Sequence, residues 1–258
     1  MPYFIDQLNR TIELASPPKR IISLVPSQTE LLFDLGLNEE VVGITKFCVH
    51  PAKLAKGKTK IGGTKKFNFE RIAELRPDLI IANKEENYQE GIEYLAGKYP
   101  VWISDIVDWQ SALNMIAQVG ELACRTKEAQ VLLEQIQVKQ AFLASQSRQE
   151  TSKVLYLIWR EPFMAAGKAT FINTMLELAG FENVCASVSR YPELTSQDIE
   201  AMQPDVIFLS SEPYPFRHKH ILELQQICPQ SEVRLVDGEM FSWYGSRLLK
   251  GLAYCSDL

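Results

Sequence analysis

No stretch of this 258-residue chain is apolar for long enough to cross a bilayer, so no transmembrane segment is expected. Cysteines are few: Cys48, Cys124, Cys185, Cys228 and Cys255 are odd in number, widely spaced and include no CxxC pair. That pattern argues against a disulfide scaffold and for reduced thiols. The three histidines, His50, His218 and His220, form no ligand cluster in sequence, and no metal site is expected from them. His218 and His220 lie two apart near the start of a helix, a spacing that does not share a face, so surface or capping roles are expected. There is no GxGxxG, Walker loop, G-x-S-x-G elbow or HExxH, and the familiar catalytic signatures are therefore missing. Excess positive charge is missing too. A formal net charge of −5 argues against nucleic acid as a partner, and the one basic run, "KLAKGKTK" at 53–60, reads as a solvated loop. The first twenty residues lack the basic, apolar and small-residue regions of a secretory signal. As the sequence stands a cytoplasmic location is expected; a periplasmic or lipid-anchored one would follow if a signal had been removed.

The chain does have a regular alternation of apolar strands and amphipathic helices. "RIISLVP" at 20–26 reads as a strand, and "SQTELLFDLG" as a helix with Ser27 and Glu30 at capping-box spacing and Gly36 at its end. "VVGIT" at 41–45, the apolar run after Pro77-Asp78 and "PVWIS" at 100–104 continue the strands, with helices in "FERIAEL" and "YQEGIEYLAGKY". From Trp109 to Gln149 the pattern is purely helical. Ala129, Leu132, Leu133, Ile136, Gln140 and Leu143 fall on one face of a helix predicted over Lys127–Ser147, capped by Thr126, and Asp108 or Ser111 can cap the shorter helix before it. After it the alternation restarts, with strands in "KVLYLIW", "DVIFLSS" and "EVRLVD" and helices in "TFINTMLELAG" and "SQDIEAM". "ERIAELRPDLII" and "QDIEAMQPDVIF" match in pattern, their prolines Pro77 and Pro204 lying 127 residues apart. The expected fold is thus α/β, two Rossmann-like lobes with parallel sheets joined by one long backbone helix. Its parts are an N-terminal lobe over 1–107, a helical segment over 108–149 and a C-terminal lobe over 150–258.

Open parallel sheets bind ligands beyond the carboxyl ends of their strands. The loops expected there, between the lobes, are 26–30, 45–50, 83–88, 159–171, 210–218 and 238–247. They carry Phe47, His50, Asn83, Lys84, Glu85, Trp159, Arg160, Phe163, Glu212, Tyr214, Phe216, Glu239, Trp243, Tyr244 and Arg247, with Tyr191 nearby. So aromatic a set, with a few charged groups, suits a flat or bulky ligand. For each aromatic taken alone, packing within its own lobe is the competing reading. Glu85 and Glu212 occupy matching places in the two halves, as acid and base, ligand contacts or solvated loop ends.

"PKRIISLVPSQTELLFDLGL", "IGGTKKFNFERIAELRPDLIIA", the linking helix, "GKATFINTMLELAGFENV" and "DIEAMQPDVIFLS" together resemble the helical-backbone metal receptor family, the substrate-binding proteins of cobalamin, haem and ferric-siderophore ABC importers. The likeness is greatest to the cobalamin-binding members and runs from about Ile12 to the C-terminus. It implies two lobes, a rigid connecting helix and modest closure on a metal chelate, with cobalamin, haem or a ferric siderophore as ligand and no intrinsic cofactor. Phe47, Phe163 and Tyr191 match ligand-facing aromatic positions of the cobalamin binders, and Glu239 falls near a cleft Asp. Thr64 and Asn83 stand where those proteins have tryptophans, and Trp243 near a cleft Arg. The resemblance also implies docking to an ABC-importer permease through one glutamate per lobe. Glu70 matches the first; Gln197 stands at the second, with Asp198 beside it. The expectation is a monomeric, non-catalytic chelate receptor. The alternatives are a cytoplasmic enzyme acting on a cobamide or other chelate through Glu85, Glu212 and His50, and a sensor that signals through a partner.

Overall fold

In the computed structural model, residues 2–146 and 151–258 are described, and the predicted helix end at Ser147 lies outside them. The chain divides into two compact units. Unit 1 comprises 1–106, 110–135 and 244–247; unit 2 comprises 107–109, 136–243 and 248–258.

Unit 1 is built on five parallel strands, β1 Ile21–Ser23, β2 Val41–Ile44, β3 Thr59–Lys60, β4 Leu79–Asn83 and β5 Val101–Ser104, in the order β3-β2-β1-β4-β5. Helices Pro26–Asp34, Phe69–Leu75 and Gln89–Ala96 connect them. Both faces of β1 and β4 are covered, so every residue of these strands is buried and the sequence reads as continuous apolar runs rather than alternation. Ile22, Ile61, Ile72, Ile80, Ile92 and Ile103 belong to one core cluster. Two small antiparallel hairpins, Tyr3–Ile5 with Thr11–Glu13 and Gly62–Gly63 with Lys66–Phe67, are additions that the sequence pattern did not announce.

Unit 2 has the parallel strands β6 Lys153–Trp159, β9 Val206–Ser210 and β10 Glu232–Val236, with the short Glu182–Asn183 also parallel to β6. Two more strands, β7 Phe163–Ala165 and β8 Glu193–Leu194, extend the sheet antiparallel to give the order β8-β7-β6-β9-β10. The loop expected over 159–171 is therefore partly strand. Helices Phe171–Leu178, Ser196–Met202 and His218–Ile227 pack on this sheet, and Leu155, Leu157, Ile199, Ile207, Leu209 and Leu224 share its core cluster.

The two matching phrases fold alike. Asn68 and Thr195 cap their helices through side chains that accept from Arg71 and Asp198 N–H, and Arg76 and Gln203 end them in the left-handed conformation at φ 45° and 46°. Pro and Asp follow in each copy. Asp78 N–H donates to the Arg20 carbonyl (3.1 Å) and Asp205 N–H to the Lys153 carbonyl (2.9 Å). The Asp78 carboxylate accepts from Lys19 and Arg20 N–H at 2.8 and 2.9 Å, and that of Asp205 from Lys153 N–H at 2.7 Å. Each aspartate thereby ties the start of its strand to the neighbouring strand, which is why the phrase recurs.

The long helix runs Thr126–Ser145, with its first ten residues in unit 1 and the rest in unit 2. Ala129, Leu132, Ile136 and Leu143 are buried, as the spacing requires. Thr126 is its first helical residue, one place inside the predicted cap. The Ser27/Glu30 capping box is not formed. Pro26, whose fixed φ suits a first helical position, starts that helix, and Val25 supplies no side-chain cap. The basic run is not a solvated loop either: it forms helix Ala52–Lys56 and strand β3, and Lys60 Nζ donates to the Cys48 and Ala55 carbonyls at 3.2 and 3.1 Å. All five cysteines are free thiols, and only Cys124 is exposed.

Candidate functional site

In unit 1 the backbone leaves β2 into Thr45, Lys46 and Phe47. Phe47 is 50% exposed, a large apolar ring half in solvent. It rests on Gly63, where a Cβ would lie 3.3 Å from the ring and 3.5 Å from Lys46 Cε. Lys46 Nζ stands 4.9 Å from the Phe47 ring centroid, a cation–π distance. These residues line a pocket of about 900 Å³ with the Gly62–Phe67 hairpin and Asn68, Phe69 and Glu70. The pocket lies wholly within unit 1.

The predicted residues after β4 have other work. Asn83 is buried at 2% exposure; its Nδ2 donates to Ser104 Oγ (3.0 Å), and its Oδ1 accepts from Glu85 and Glu86 N–H at 2.8 and 2.9 Å. It ties the loop to the sheet. Lys84 pairs with Asp105 at 2.6 Å. Glu85 and His50 are half-buried. Tyr244 is buried, and its hydroxyl donates to Glu86 Oε1 at 3.2 Å; burial, with Glu86 beside it, pushes its phenol well above the usual tyrosine value. Arg247 is expected in a ligand site but instead sits inside unit 1. Only 4% of its side chain is exposed, and it makes a two-pronged ion pair with Glu30, Nε to Oε2 at 2.6 Å and Nη2 to Oε1 at 2.9 Å. A guanidinium so engaged and dry offers a ligand little.

In unit 2, Trp159 at the end of β6 is 40% exposed and packs edge-on against half-buried Tyr214, ring centroids 5.6 Å apart. Tyr214 in turn meets Phe216 at 4.8 Å, so three of the predicted aromatics form one row. Phe216 ends the row inward, and it and Phe163 are buried in the unit 2 core, in keeping with the packing reading. Arg160 is bound to Glu161 and, two-pronged at 2.8 Å, to Glu223. His220, the third residue of its helix, accepts at Nδ1 from the N–H of the cap residue Arg217 at 2.8 Å, whereas His218 is exposed. Tyr191 is half-buried, and Arg190 lies over its ring at 5.4 Å.

Glu212 Oε1 accepts from Ser242 Oγ and from the indole Nε1–H of buried Trp243, both at 2.9 Å. Burial raises its carboxyl above the ordinary glutamate value, while those two hydrogen bonds pull the other way. Glu239 is half-buried at the first turn of helix Glu239–Ser242. Of the three docking candidates, Glu70 and Gln197 are exposed at equivalent positions of the two matching helices. Asp198 is turned to its own cap, its carboxylate accepting from Thr195 N–H (2.8 Å) and Oγ1 (2.6 Å), which holds its pKa low. Among the described residues no group of three or more His, Cys, Asp and Glu could hold a metal ion, and no helix is long and apolar enough to cross a membrane.

The sequence reading missed Lys46, Lys65, Lys66 and the Gly62-Gly63 turn. Their signal is the phrase "GGTKK", where two glycines allow a tight turn and two adjacent lysines sit at its tip. It also missed Glu30 and Glu223 as arginine partners, since such pairing is long-range in sequence.

The chain matches the family described as "Periplasmic binding protein" over residues 21–226. It is 29% identical over 214 residues, 78% of this chain and 67% of the relative, to an uncharacterized ABC transporter substrate-binding lipoprotein, YvrC, of Bacillus subtilis. It is 25% identical over 237 residues to a vitamin B12-binding protein of Pectobacterium carotovorum, covering 90% and 85% of the two chains. Among solved structures, a possible iron-binding periplasmic solute-binding protein from Staphylococcus epidermidis superposes with a TM-score of 0.81 at 23% identity, covering 94% of this chain and 98% of the other. That structure has the same α/β architecture.

Proposed function

Because this chain belongs to the periplasmic binding protein family, we propose that it is a non-catalytic receptor for a metal chelate, a corrinoid, haem or a ferric siderophore, which it passes to an ABC-importer permease. The observation that carries the ligand class is the row of Trp159, at the end of a parallel strand, and Tyr214, in the loop after the neighbouring one, exposed and half-buried rings set edge to face. A flat, rigid chelate gains most from such a surface, because preformed aromatic contact limits the ordering cost of binding. Exposed Phe47 in unit 1 contributes in the same sense. The names of the relatives, a substrate-binding lipoprotein and a vitamin B12-binding protein, support the same reading.

A receptor rather than an enzyme is supported by Glu212, whose Oε1 is committed to Ser242 and Trp243 instead of standing free for proton transfer. Exposed Glu70 is the permease contact of the reading. A periplasmic or lipid-anchored location accompanies it. The test is a visible-absorption titration of the purified protein with cobalamin, cobinamide, haemin and ferric chelates. Saturable one-to-one binding, recovery of unchanged ligand and a loss of about two- to tenfold in affinity in Trp159→Ala are expected, a stacked ring being worth roughly 0.5–1.5 kcal/mol beyond the area it buries. Folded protein that binds none of them overturns the proposal, and a modified product points to the enzyme.

A further inference from the structure

The pocket of unit 1 has a charge that a receptor for a neutral chelate does not need. Of its lining groups three are lysines, Lys46, Lys65 and Lys66, against the single acid Glu70. Each lysine is placed by the fold. The Lys46 N–H donates to the Gly62 carbonyl at 2.8 Å, and its stem lies along Gly63 beside Phe47. Gly62 has φ +111°, and a Cβ there would fall 2.4 Å from the Lys66 carbonyl, so only glycine allows the turn that carries Lys65 and Lys66. Lys65 Nζ donates to the Glu85 carbonyl at 2.6 Å, and Asn87 Nδ2 to the Thr64 carbonyl at 3.1 Å, pinning the hairpin to the loop after β4. Lys65 thus serves mainly as an anchor. Among the described residues neither Lys46 nor Lys66 has a carboxylate partner.

The geometry points to this pocket as the seat of an acidic group, a carboxylate or phosphate, on the periphery of the chelate. The inference rests on the chelate-receptor reading and narrows it to ligands with an anionic edge. Phe47 supplies an apolar wall for the ring system. The ammonium groups of Lys46 and Lys66, strongly hydrated point charges on flexible stems, reach the acid without needing the fixed geometry of arginine. The chemistry is selective for charge rather than for the identity of the metal.

Two matched pairs of probes test it: haemin with its dimethyl ester, and cobyrinic acid with its heptamethyl ester, each titrated against the intact protein and the double variant Lys46→Gln, Lys66→Gln. For the scaffold that binds, the acid form is expected to bind about three- to tenfold more tightly than the ester at low ionic strength, the preference fading at about 0.5 M salt. In the double variant, checked for an unchanged melting curve, the two forms are expected to bind alike. Equal binding of acid and ester by the intact protein, or a preference that survives the double substitution, overturns this inference and leaves the receptor reading in place. Failure of all four probes to bind overturns both.

Discussion

The two units carry one frame with two different sets of chemistry. In each, a capped helix ends in a left-handed residue, Pro and Asp follow, and a buried strand emerges; Asn68, Arg76, Asp78, Asn83 and Glu85 recur 127 residues on as Thr195, Gln203, Asp205, Ser210 and Glu212. Even the tie after the strand recurs: Asn83 Oδ1 accepts from Glu85 N–H at 2.8 Å, and Ser210 Oγ from Glu212 N–H at 3.4 Å. Beyond that tie the copies part. Unit 1 sets lysines and Phe47 around a pocket, whereas unit 2 folds Glu212 back on the Trp243 indole and lines up Trp159 and Tyr214. Groups that fix the backbone repeat in role even where their identity changes, as in Asn68 and Thr195 or Asn83 and Ser210, because each copy must hold the same backbone. Loop groups answer only to what they meet outside the sheet, so they diverge.

The sharpest way to break the likeness is through the two arginine–glutamate pairs, which share geometry but differ in burial. Arg247→Met takes the guanidinium away from the dry carboxylate of Glu30 and is expected to cost about 3–5 kcal/mol in chemical denaturation. Arg160→Met removes a pair whose side chains are 25% and 30% exposed, and should cost less than about 1 kcal/mol. Equal losses would show that burial does not separate the two pairs.

The aspartates come next. Asp78→Ala strips an acceptor from two backbone N–H groups and Asp205→Ala from one, so losses of about 1–2 and up to about 1 kcal/mol are expected in that order. The left-handed residues then sharpen the comparison in the stabilising direction. Arg76→Gly and Gln203→Gly, at φ 45° and 46°, should each raise stability by about 0.5–1 kcal/mol and by the same amount, since both relieve the same backbone conformation. Unequal gains would mean that one of these exposed side chains has a stabilising role of its own.

The smallest effect concerns Glu212. Its folded carboxyl holds a proton more tightly than the unfolded chain does, so its contribution falls as pH rises from the ordinary glutamate value of about 4.3 through the raised folded one. Glu212→Gln keeps the oxygen that Ser242 and Trp243 donate to and removes the buried charge. Melting temperature plotted against pH should lose that part of its slope, with a gain of a few tenths of a kcal/mol near pH 7. An unchanged slope would refute the assignment.

Much of the fold was legible because period and punctuation are local. Strand Lys153–Trp159 was readable in full from its apolar run, and Gly36 and Gly180 marked helix ends where φ is 82° and 78°. The antiparallel strands Phe163–Ala165 and Glu193–Leu194 were not, because three- and two-residue strands carry no period. Of the candidate ligand residues, type alone could not separate Trp159, 40% exposed, from Phe163, 9% exposed and packed in the core. Nor could it reveal that Arg247 finds Glu30, more than two hundred residues earlier in the chain. Such pairings depend on tertiary packing.

The four residues Tyr244–Arg247 belong to unit 1, although the chain on either side of them belongs to unit 2. No single cut can therefore release unit 1 as a whole. A gene fragment encoding residues 1–135 would synthesise every strand of its sheet, yet Glu30 would lack Arg247 and Glu86 would lack Tyr244. Such a half should be soluble only with help, and a short peptide bearing Tyr244–Arg247, supplied in trans, should rescue it. The repeat looks divisible along the sequence, but its folding requires the message to be translated almost to its end.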